Sequence, residues 1–134
     1  MSFELPLTIH PDDIDLLGHV NNVTYLRWVQ EAATAHWDVL ATPEDHARLL
    51  WVVLRHEIDY KHPALPGDAL LAKTWVGAAH GLRFERFTEI LRAADRKVMA
   101  TAKTLWCPVD AKTLRPARLS DFTASRYTAP SKPT

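Results

Sequence analysis

The stretch Asp12-Asp13-Ile14-Asp15-Leu16-Leu17-Gly18-His19-Val20-Asn21-Asn22 marks the point where this chain changes its hydrophobic period. Upstream, Phe3, Leu5, Leu7 and Ile9 alternate with Glu4, Pro6, Thr8 and His10, a period of two that predicts a half-buried strand. Pro6 has no amide hydrogen to donate, which pushes that strand to a sheet edge. Pro11-Asp12-Asp13 breaks it and opens a polar turn. Downstream, Leu26, Val29, Ala33, Trp37 and Leu40 recur at steps of three and four, giving one apolar helical face. Asn21 or Asn22 suits the N-cap, and the spacing predicts a helix of roughly 18 residues ending near Leu40.

Beyond that helix, Ala41-Thr42-Pro43-Glu44 is a stop, and residues 44–49 offer one further turn. The period then stays near two. Residues 51–61 start as a buried run and end in alternation, and residues 69–76, 82–91 and 97–108 are three more strands. Residues 77–81 and 93–96 separate these last three and are short enough for antiparallel neighbours. Residues 63–68 and 110–118 are proline-marked turns, residues 119–124 a brief terminal helix, and residues 127–134 a flexible tail after a domain of residues 1–126. The class is α+β. One helix cannot cover both faces of five strands, which favours self-association of so small a chain.

At 134 residues and 15.2 kDa the chain fits a single domain. Sixteen basic residues balance sixteen acidic ones, so no long-range field draws nucleic acid or an anionic membrane. Cys107 is the lone cysteine, which excludes an internal disulfide, and no Cys/His spacing makes a zinc cage. No apolar run approaches the roughly 18 residues of a membrane span, and the first residues lack the pattern of a secretory signal. The expected setting is reducing and cytoplasmic.

Three carboxylates, an imidazole and two amides precede the long helix. A helix start exposes amide hydrogens without intrahelical partners and carries partial positive charge, so it can hold a developing oxyanion. A carboxylate beside it can serve as general base on water or attack a carbonyl. The competing account is structural: Asp and Asn before a helix are ordinary caps, and His19 suits a turn. Cys107 falls in a strand pattern and no G-x-S-x-G occurs, so no other nucleophile competes.

The stretch from Asp13 through Gly18-His19-Val20-Asn21-Asn22 to Tyr25, Trp28 and Glu31-Ala32 resembles the opening motif of hotdog-fold acyl-CoA thioesterases of the 4-hydroxybenzoyl-CoA thioesterase type. In that family the pattern reads roughly D-x-D-x-x-G-H-V-N-N-x-x-Y-L-x-x-x-x-E-A, and the similarity spans about residues 3–122. The resemblance implies a long central helix wrapped by a curved antiparallel sheet of about five strands. It also implies pairing into a homodimer or homotetramer, with active sites at the dimer interface.

Carried over by position, Asp13 is the expected catalytic carboxylate and Asp15 a brace for the loop. Backbone amides around Val20, Asn21 and Asn22 are expected to polarise the thioester carbonyl, with His19 and Glu31 supporting. Tyr25 and Trp28 either line the acyl pocket or pack the core. His56, Tyr60 and His62 approach the first wide turn, where they could serve a partner's site. Arg83, Arg86 and Lys103 are candidates for the coenzyme A phosphates, against the alternative of a solvated strand face. No metal or other cofactor is implied, coenzyme A being part of the substrate. The expected activity is hydrolysis of an acyl-CoA thioester. The alternatives are an acyl carrier protein thioesterase, a related dehydratase, whose hydratase motif is not evident here, and a non-catalytic acyl-CoA-binding module.

Overall fold

The computed structural model describes residues 2–127. Strand β1 (Phe3–Leu7) is followed by a single 3-10 turn at Pro11–Asp13 and by helix α1 (Asn22–Leu40). A short helix α2 (Pro43–Arg48) leads into β2 (Leu49–Tyr60), and β3 (Leu70–His80), β4 (Arg83–Arg92), β5 (Val98–Asp110) and α3 (Asp121–Tyr127) complete the chain. The strands form one antiparallel sheet in the order β1-β3-β4-β5-β2. The sheet wraps α1, which is the expected hotdog arrangement. Among the described residues, no helix is long and apolar enough to cross a membrane.

Asn21 caps α1, its side chain accepting a hydrogen bond from the Val23 amide. The buried stripe of α1 is Tyr25, Trp28, Val29, Ala32, Ala33, His36 and Trp37. It is rotated from the expected face, so that Leu26 and Leu40 are only half-buried. Two apolar clusters sit at the two ends of this helix. Tyr25, Trp28 and Ala32 pack on Leu70, Ile90 and Met99 near its start, and Trp37 packs on Leu49, Phe84 and Tyr127 near its end.

Three expectations change. The start of β2 is not a buried run: Trp51 packs on Trp37 of α1, whereas Leu50 and Val52 alternate with it on the opposite face of this edge strand and are exposed, as is Leu54 at the irregularity after Val53. Residues 77–80 continue β3 rather than separating strands, and Gly77 sits where a Cβ would lie 2.5 Å from the Phe87 ring. Tyr127 does not open a flexible tail; it closes α3 and is buried against Trp51 and Phe84. The rest of the expected tail, residues 128–134, lies outside the described residues.

Candidate active site

The loop before α1 is a small closed structure. The Asp15 amide donates to the His19 carbonyl at 2.8 Å and the Gly18 amide to the Asp15 carbonyl at 3.0 Å. Gly18 has φ +78°, a left-handed conformation that glycine adopts without steric cost. The Val20 amide donates to the Ala64 carbonyl and the Ala64 amide donates to the Tyr25 hydroxyl, so the turn after β2 clamps the helix start.

The two aspartates of the motif have different surroundings. Asp13 is 4% exposed, and its carboxylate forms a fork with Arg27, Nη1 to Oδ1 at 3.0 Å and Nη2 to Oδ2 at 3.2 Å. The His10 amide and the Thr24 hydroxyl also donate to it. The Arg27 guanidinium, aided by the His10 amide and opposed by burial, holds this carboxyl below the ordinary aspartate range. Such a carboxylate is a weak base with its oxygens already engaged. Asp15 is half-buried; its Oδ1 accepts from the Leu17 and His19 amides, and its Oδ2 has no partner among the described residues. Asp15, not Asp13, lines the cleft beside the helix start. Both aspartates brace the loop: Asp15, as expected, through the Leu17 and His19 amides, and Asp13 through Arg27, fourteen residues away.

That cleft encloses about 460 Å³ and includes Asp15, His19, Asn22, Tyr60, Lys61 and His62. Of the amides expected to face a carbonyl, that of Val20 donates to Ala64 and that of Asn21 to the Asp13 carbonyl at 2.7 Å. The Asn22 amide alone among these three has no acceptor among the described residues. Tyr60 donates its hydroxyl to the Asn22 carbonyl at 3.2 Å, which ties β2 to the helix start.

Other expected site residues lie elsewhere. Trp28 is 1% exposed and belongs to the core, whereas Tyr25 packs beside it and also borders the cleft. Glu31 is exposed and pairs with Arg27 at 3.3 Å, away from the cleft lining. Arg86 is 1% exposed, donating to His36, Thr74 and Tyr127, so it is no surface cation. Arg83 is exposed, but the register aligns its end of β4 with Trp106. The cleft end is the row Ile90, Ala100 and Tyr60, about 24 Å along the strand. Lys103 is half-exposed and pairs with Glu85 at 3.3 Å.

His56, considered for a partner's site, contacts Thr104 and Gln30 instead of the cleft, and burial lowers its pKa. Arg27 and Lys61 were missed by sequence reasoning. Nothing in the spacing pointed to Arg27 as the partner of Asp13, whereas Lys61 follows directly on the strand that ends at the wide turn. Among the described residues, no three His, Cys, Asp or Glu side chains gather as a metal site would need.

The family model of the thioesterase-like superfamily matches residues 9–127. The chain belongs to this superfamily. Thioester hydrolysis is its class of activity. No curated protein is detectably similar in sequence. Among solved structures, a 1,4-dihydroxy-2-naphthoyl-CoA thioesterase from Synechocystis is 22% identical, with 93% of this chain and 94% of that one covered and a TM-score of 0.79. A thioesterase from Thermus thermophilus, complexed with coenzyme A and zinc, is 21% identical over 94% and 97%, with a TM-score of 0.80. The PA5185 protein of Pseudomonas aeruginosa is 17% identical over 93% and 88%, with a TM-score of 0.84. At such identities these likenesses bear on the fold.

Proposed function

We propose that this thioesterase hydrolyses acyl-CoA thioesters with Asp15 as its carboxylate and the Asn22 amide as its oxyanion donor. One observation carries the reading: Asp15 and Asn22 line the same cleft, and among the described residues the Asp15 Oδ2 and the Asn22 amide have no hydrogen-bond partner. Docked there, the thioester carbonyl accepts from the Asn22 amide, which the helix start makes a favourable site for negative charge. Asp15 takes a proton from water, the hydroxide attacks the carbonyl carbon, and a tetrahedral oxyanion forms against Asn22. Collapse breaks the carbon–sulfur bond, and the proton held by Asp15 passes to the departing thiolate.

Coenzyme A as the leaving group is supported by the Synechocystis and Thermus thermophilus likenesses and by Lys61 at the cleft, which offers local positive charge in a chain of zero net charge. Asp13 and Arg27 then hold the loop rather than react. The reading also includes a homodimer, paired through the free edge of β2, and a cytoplasmic setting. Free thiol released from acyl-CoA, monitored with a thiol reagent, tests the activity. Turnover that is saturable in acyl-CoA is expected; tight binding of acyl-CoA without thiol release would make the protein a binding module instead.

A further inference from the structure

Two cavities lie along one seam. The seam is the line where α1 meets β2, and three contacts trace it. Tyr60 meets Asn22 at 3.2 Å, Gln30 Nε2 meets His56 Nε2 at 3.5 Å, and the Trp37 and Trp51 ring centroids lie 5.2 Å apart. The catalytic cleft opens beside the first contact. A second cavity, of about 360 Å³, opens beside the third. Its lining is largely aromatic and aliphatic, with Trp37, Leu49, Trp51, Trp106 and Tyr127, and Gln30 and Thr34 border it from the helix. No step of the hydrolysis above uses it.

We infer that this second cavity receives the far end of the substrate's acyl chain, so that the protein prefers straight acyl groups of about ten carbons or more. This rests on the reading of the first cleft as the thioester site. Asn22 and Gln30 are eight helical residues apart, about 12 Å along the axis. An extended chain advances about 1.2 Å per bond, a third of the rise of an extended residue, so roughly ten bonds are needed to reach Gln30. A short or single-ring acyl group ends before that point. The Gln30–His56 contact at the midpoint is at the outer limit of a hydrogen bond and partly in water, so it parts at little cost to let a chain through. Beyond it, each methylene that leaves water for the aromatic lining tightens binding about fourfold.

Thr34 is one helical turn beyond Gln30, is exposed, and borders the cavity, so a large side chain there fills the space with little strain on the core. The test is calorimetric titration of the full chain with two unreactive thioethers, S-dodecyl- and S-butyl-coenzyme A. The dodecyl compound, with about two methylenes beyond Gln30, is expected to bind at least about tenfold more tightly. Thr34→Trp should reduce that ratio to threefold or less, while Thr34→Ala keeps it. Equal affinities in the unaltered protein, or a ratio that survives Thr34→Trp in a folded variant, would overturn the inference. Because the thioethers cannot be hydrolysed, a chain-length preference without turnover of any acyl-CoA would support the cavity and defeat only the hydrolase assignment.

Discussion

Arg86 carries its charge into a place where its partners among the described residues are neutral acceptors: His36 Nδ1 at 3.1 Å, the Thr74 hydroxyl at 3.0 Å and the Tyr127 hydroxyl at 2.7 Å. Burial first, and then the Arg86 charge, lowers the His36 pKa from 6.5 to about 4. His36 is therefore neutral in the folded protein, whereas the unfolded chain takes up a proton on it below pH 6.5. Stability is full above that pH and falls as the pH drops towards 4, by about 2 kcal/mol at pH 4.5. Urea midpoints at pH 7.5 and 4.5 should show this, and His36→Gln, which keeps an acceptor for Arg86, should flatten the difference. Equal flattening by a substitution at the exposed His80 would argue against His36. Arg86 was legible in part: it shares the period-two parity of Phe84, Thr88 and Ile90, all buried, while Arg83 has the opposite parity. The different surroundings of Asp13 and Asp15 were not legible. Both stand at similar distance from the cap, and what separates them is a guanidinium from the second turn of the helix, a tertiary contact without a local signature.

The elements followed the sequence where one physical signal was enough. The long helix was marked by both a period and a cap, and its observed bounds, Asn22–Leu40, lie within a residue of those expected. β1 is indeed an edge strand, as a proline without a donor requires. The apolar stretch at the start of β2 misled because hydrophobic content alone does not distinguish a buried strand from an edge awaiting a partner. β3 was cut short by reading Gly77 as a turn, although its role is close approach to Phe87. Gly77→Ala should therefore cost about 1–3 kcal/mol in chemical denaturation, since the ring must shift to admit a methyl group. A change within 0.5 kcal/mol, the range typical of ordinary surface positions, would show that the ring yields freely.

For the whole molecule, β2 is a twelve-residue edge strand on which Leu50, Val52 and Leu54 are exposed. A long apolar edge is an aggregation hazard unless something pairs with it. Pairing of two β2 strands about a two-fold axis would join the sheets and bury those side chains, with each surface meeting its own copy. Light scattering at micromolar concentration should return the mass of a dimer or larger. The double substitution Val52→Lys, Leu54→Lys, which sets like charges against each other across the axis, should shift it to the monomer. A monomer in the unaltered protein would remove the shared-sheet account.

The division of labour between the two motif aspartates is tested by the turnover of Asp15→Asn and Asp13→Asn beside the unaltered protein, with folding checked by circular dichroism. The structure predicts that Asp15→Asn keeps its fold and loses at least about a hundredfold in kcat, the scale of a missing acid–base group. Asp13→Asn should instead unfold more easily, having weakened the Arg27 fork, while retaining most of its turnover when folded. Normal kcat for Asp15→Asn, with activity abolished in a fully folded Asp13→Asn, would contradict the assignment.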